Sequence, residues 1–171
     1  MSVFLLQMLV MIFADQRIRR KSHVPKQARR NWLERNIALL ANFVWLVAMI
    51  YSIFLPLQSD TIWFYIGLSF VIIGVIILAI ATFNFIATPV DQIITKGAYH
   101  FSRHPMYLAT FFICMGAGIA AISWFFICIT LIMFFCFHQE ASIEERICLD
   151  NYGSTYQQYL DRVPRWFGIP K

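Results

Sequence analysis

In a chain of 171 residues, 60% hydrophobic and only 13% charged side chains, with a mean hydropathy of +0.65, leave too little polar surface for a water-soluble domain and place the protein in a bilayer. The formal charge of +5 and the pI near 9.2 come from basic residues at the ends of apolar segments. That distribution argues against nucleic acid and for anionic lipid head groups as the electrostatic partner.

Met1–Ala14 is apolar apart from Ser2 and Gln7, and the cluster Arg17, Arg19, Arg20, Lys21 follows it, the wrong charge order for a cleaved signal peptide. A 14-residue helix reaches only about 21 Å, so this first predicted membrane helix must borrow flanking residues or thin the bilayer. Asp15–Asn36 holds eight Lys/Arg against two acids, which predicts a cytoplasmic connection and an external N-terminus. Ile37–Leu57 is 21 residues without a charge, one crossing ended near Pro56; Gln58–Thr61 is a short external loop without a basic residue. Ile62–Thr88 is a third span of 27 uncharged residues, with Asn84 near its inner end either bonding a neighbouring helix or lining a polar cavity.

Gly97–Tyr107, GAYHFSRHPMY, crowds charge, turn chemistry and rings between two apolar runs. Gly97 suits a turn and Pro105 the first position of a helix, whose N-terminal N–H groups, with Arg103 and His104, favour an anionic ligand group. Arg103 and His104 read equally as interfacial anchors. Met106–Phe137 is a 32-residue apolar run that as one helix would measure about 48 Å, so a hairpin is predicted with its break among Gly116, Gly118 and Ala121–Trp124. Its phenylalanines are lipid-facing packing or the lining of a slot for an acyl or prenyl chain. In the tail, Ser142-x-x-Glu145 fits a capping box at the start of a new helix and Gly153 its end; Ser154-x-x-Gln157 opens a second short helix presenting Tyr156 and Tyr159 before Pro164. Cys114, Cys128, Cys136 and Cys148 lack C-x-x-C spacing and read as reduced packing residues, so no metal site is expected.

The order G-x-Y-x-x-x-R-H-P-x-Y, apolar hairpin, Glu144-Glu145, Tyr152-Gly153 and Tyr156-x-x-Tyr159, closing on Arg162-Val163-Pro164, resembles the isoprenylcysteine carboxyl methyltransferases and the related phospholipid N-methyltransferases over roughly Asp91–Pro170. The apolar runs, with the hairpin that the resemblance also implies, predict an all-α integral membrane protein of about five membrane segments. Three spans (1–14, 37–57, 62–88) form an N-terminal part over 1–88. Residues 89–171 form a methyltransferase-like region with a cytoplasmic motif loop, a tight hairpin at 106–137 and a helical cytoplasmic tail. It implies S-adenosylmethionine as cofactor, a lipophilic or lipidated acceptor, no metal and no nucleic acid. The implied cofactor pocket comprises Asp91, Gln92, Ile93, Ile94, Tyr99, Arg103, His104, Pro105, Met106, Tyr107, Glu144 and Glu145.

Within it, Arg103, His104 and the helix start suit the methionine carboxylate, Glu144 its ammonium, and Tyr99 and Tyr107 the adenine and ribose. Glu145 has a structural explanation in the capping box. At the acceptor, Arg103, His138 and Glu140 are the candidate catalytic residues, His138 as a proton acceptor. Glu140 stands where the eukaryotic carboxyl methyltransferases have an arginine four residues before the cofactor-binding glutamate, and either meets the acceptor or faces water. Rival readings are a phospholipid amine methyltransferase, an NADPH-dependent sterol-type reductase similar in its last third, and a membrane scaffold without activity.

Overall fold

A computed structural model describes residues 31–89 and 92–170, which form six helices. The predicted helix at Met1–Ala14 and most of the basic connection after it lie outside the described residues. The first helix, α1 (Trp32–Ser52), starts five residues before Ile37 and stops five before Leu57. Both ends have local causes: the Asn31 backbone N–H donates to Glu34 Oε2 at 3.0 Å, one half of a capping box, and Pro56 restricts the chain just past the end. α2 (Ile62–Ala87) is apolar all round, and Ile72, Ile76, Ile80, Phe83 and Ile86 point outward, where a bilayer rather than water meets them.

A four-residue helix, α3 (Ala98–Phe101), precedes α4 (Pro105–Ala120) and α5 (Trp124–Tyr152), the predicted hairpin. Its turn is closed by the Ser123 N–H donating to Gly118 O at 2.9 Å, with Ile122 at φ 50°. Ser123 Oγ then accepts from Phe126 N at 3.3 Å and caps α5. The protein is thus an all-α membrane protein. Among the described residues α1, α2 and α5 are long and apolar enough to cross a bilayer, and α4, at 16 residues, is shorter.

The predicted capping box at Ser142–Glu145 is absent. α5 runs through it unbroken, Ser142 Oγ donates back to His138 O at 3.0 Å as serine does within a helix, and Glu145 turns inward. At 29 residues α5 measures about 43 Å, more than a hydrocarbon core of about 30 Å. The change from apolar to polar at Phe137–His138 is therefore a change of medium along one helix.

Packing runs in the order α2, α4, α5, α1. α2 meets α4 through small residues: a Cβ on Gly116 would lie 2.5 Å from Gly67 O, and one on Gly67 would overlap Gly116 O and Ala120 N. α1 lays Ala48, Val44 and Tyr51 against Phe126, Ile129, Met133 and Phe137 of α5. Gly153, at φ 55°, turns the chain into α6 (Ser154–Arg162), whose Tyr156 and Tyr159 are buried with Val163 against Ile93 and Leu149.

Candidate active site

The cluster forms where α4 begins and α5 leaves its apolar stretch. Gly97, at φ 61°, rests on the Asn84 side chain, where any Cβ would collide. Asn84 Nδ2 is buried without a hydrogen-bond partner among the described residues, and its side chain supports the turn. From there the chain passes through α3 to Ser102–His104, which the C-terminal residues strap down. Arg103 N donates to Pro164 O at 3.1 Å, Ser102 Oγ to Arg165 O at 3.1 Å, and Gly168 N to Phe101 O at 3.2 Å. Pro105 is the first residue of α4, as its fixed φ requires.

His104 stands between two carboxylates. Its Nδ1 lies 3.6 Å from Glu144 Oε2 and its Nε2 3.1 Å from Glu145 Oε1. Glu145 also receives Arg165 in a two-pronged contact, Nε to Oε1 at 3.0 Å and Nη2 to Oε2 at 2.6 Å, and has Arg103 Nε at 3.3 Å. Glu144 accepts from Tyr107 Oη at 2.9 Å, and its side chain is 34% exposed where that of Glu145 is 8% exposed. Rings wall the cluster: Tyr107 stacks on His104 at 5.7 Å and on Phe137 at 4.7 Å. Burial opposes a charge on His104, but hydrogen bonding and attraction from Glu144 and Glu145 outweigh it and hold the imidazole above its ordinary pKa. Burial, then the nearby Glu144, raises Tyr99, so its phenol stays neutral.

Of the predicted residues, Tyr99, Arg103, His104, Pro105, Tyr107, Glu144 and Glu145 converge here. Met106 turns the other way, against Leu78, Ala109 and Ile113 on the α2 side. Ile93 packs on the tyrosines of α6, Ile94 is half-buried, and Gln92 is exposed after a turn on Pro89; Asp91 lies outside the described residues. His104 offers no open anion site, since both ring nitrogens face carboxylates. Arg103 is better placed: its contact with Glu145 lies outside hydrogen-bond geometry, and its side chain makes no hydrogen bond among the described residues.

His138 is exposed, with its Nε2 3.3 Å from Arg165 Nη1 and its ring 5.9 Å from Trp166. Because arginine only donates, that nitrogen must be the acceptor. Glu140 is buried, which overturns the reading in which it faces water; it lies one turn before Glu144 on the stripe of Met133 and Phe137. Arg165 and Trp166, to which the motif pattern assigns no role, tie the tail to Glu145, Ser142 and His138. Their signal was a basic–aromatic pair directly after the closing proline.

The chain is thus a helical membrane bundle with a carboxylate–imidazole–guanidinium cluster at one end, beside a strapped R-H-P-x-Y turn. Residues 59–155 match the phospholipid methyltransferase family, and the chain belongs to that family. Its fold is similar to the eukaryotic intramembrane Ras methyltransferase ICMT (isoprenylcysteine carboxyl methyltransferase), with a TM-score of 0.56 and 24% identity. The likeness covers 93% of this chain and 63% of that one, so this chain spans less than two thirds of its structural relative. A comparison with curated proteins gave no match.

Proposed function

We propose that the protein transfers a methyl group from S-adenosylmethionine to a lipophilic or lipidated acceptor at the membrane surface, in the manner of prenylcysteine carboxyl O-methyltransferases. The observation that carries this reading is the division of labour between adjacent glutamates. Glu145 is held by Arg165, His104 and Arg103, whereas the accessible Glu144, oriented by Tyr107, suits an ammonium. The Arg103 guanidinium suits the carboxylate of the same amino-acid end, and the rings of Tyr99 and Tyr107 suit adenine and ribose. The donor set therefore fits the cofactor. His104 acts through Glu144 and Glu145, as a positioning residue.

When bound, S-adenosylmethionine supplies an electrophilic methyl group on a sulfonium. What the chain supplies is alignment on the hairpin, which can contribute about 7–11 kcal/mol. A carboxylate acceptor has no proton to lose. The Arg165 contact at His138 Nε2 favours such an acceptor over an ammonium, because it occupies the lone pair a base would need. The second reading, methylation of a phospholipid amine, is favoured by the buried Glu140, whose charge suits a cationic head group. We place the site on the cytoplasmic face, from the basic excess of Asp15–Asn36.

Methyl transfer assayed against a farnesylcysteine analogue and an ethanolamine phospholipid decides between acceptors. The parent is expected to prefer the former, and Glu140→Arg to increase that preference. Preference for the phospholipid establishes the second reading, and unchanged relative rates in the variant would remove Glu140 from the acceptor site.

A further inference from the structure

One cavity lies apart from the cluster. It measures ≈ 430 Å³, opens between α3 and α6, and neither Glu144 nor His104 lines it. Thr155, Gln158 and Arg162 project into it from one face of α6, at the three- and four-residue spacing that aligns side chains along a helix; His100 of α3 and Thr95 face them. Arg162 has no carboxylate within ion-pair distance among the described residues, and Thr95, Thr155 and Gln158 make no side-chain hydrogen bond there. Among the described residues the cavity thus offers a cation and several donors with no carboxylate in its lining, the complement of a phosphate.

Its position fixes the source of that phosphate. Gly97 rests on Asn84, so α3 stands level with the last turn of the apolar helix α2, where Phe83 and Ile86 are still exposed. Phe101, next in the chain to the lining residue His100, is 47% exposed, and Phe167 at 76% and Ile169 at 88% flank Gly168, whose N–H donates to Phe101 O. Bulky apolar groups beside a cation at the bilayer boundary suit a lipid, and a free anion has no use for them. A cation in the last turn of α6 also complements that helix's dipole, but a dipole partner alone would not discriminate between lipids.

We propose that the cavity between α3 and α6 binds the phosphate of a membrane phospholipid, with Arg162 as the charged anchor and Phe101, Phe167 and Ile169 against the acyl chains. The site is separate from the methyl-transfer cluster and does not depend on that reading. The test is the melting temperature of the full chain in an uncharged detergent, measured with phosphatidylglycerol, with diacylglycerol of the same chains, and with inorganic phosphate. Phosphatidylglycerol should raise it by about 3 °C or more, as a ligand at roughly tenfold its dissociation constant does, and the other two should not. Arg162→Gln should lose most of the shift and Arg162→Lys keep most of it; Thr155→Val, an exposed position, should reduce it if Arg162→Gln fails to fold. Equal shifts with diacylglycerol would overturn phosphate recognition, equal shifts with inorganic phosphate would make this a free-anion site, and undiminished shifts in the folded variants would move the lipid elsewhere.

Discussion

At the cluster, two glutamates adjacent in the chain differ in burial, with side chains 34% exposed for Glu144 and 8% for Glu145, and this sets what a substitution at each should cost. Glu145 faces Arg103, His104 and Arg165, so Glu145→Gln leaves three cationic groups short of a partner in a mostly buried place. Its loss should cost about 3–5 kcal/mol of stability, read as a lowered unfolding midpoint in detergent, with Glu144→Gln costing distinctly less. The same arrangement sets a pH dependence. His104 binds its proton more tightly in the folded chain than in the unfolded one, so its contribution is fully present below the ordinary histidine value near 6.5 and is lost as pH rises through the raised folded value. The stability advantage of the parent over His104→Gln should therefore shrink as pH is taken from about 6 to about 9. An advantage that grows with pH would mean that the imidazole is neutral between its carboxylates.

Among the elements, the pairing of α2 with α4 depends on backbones that touch. Gly116→Ala puts a methyl group against Gly67 O and the backbone of Val71, and should destabilise by about 1–3 kcal/mol, measured by thermal unfolding; an unchanged transition would show that the helices can part at no cost. The hairpin holding Gly116 was legible because 32 apolar residues exceed one crossing and small residues mark the break. The course of α5 beyond it was not. Ser142-x-x-Glu145 has the composition of a cap, but a serine inside a helix bonds back to the preceding turn equally well, and only tertiary packing decides. In the cluster, the meeting of Arg103 and Tyr107 with the Glu144-Glu145 pair was legible from the motif and, for Glu144, from the family resemblance. The placement of His104 between carboxylates was not, because Arg165 neutralises Glu145 from 20 residues away, and no local pattern records that approach. Burial of Glu140 was hidden for the same reason: stripe position on a helix is visible in sequence, but the neighbour that covers it is not.

For the whole molecule, apolar helices with outward-facing isoleucines and a polar cluster at one end require that the α1–α2 loop and the C-terminal strap lie on opposite sides of the bilayer. Reporter fusions within Gln58–Thr61 and after the C-terminus should report different compartments, and a shared compartment would break the arrangement. If the cluster holds the amino-acid end of S-adenosylmethionine through Glu144, a calorimetric titration of the purified protein with S-adenosylmethionine and, separately, with NADPH, repeated on Glu144→Gln, should show binding of S-adenosylmethionine alone, weakened by about 1.5–3 kcal/mol in the variant, the scale of a hydrogen bond to a charged group. Binding of NADPH instead, or a Glu144→Gln protein that binds S-adenosylmethionine like the parent, would contradict it.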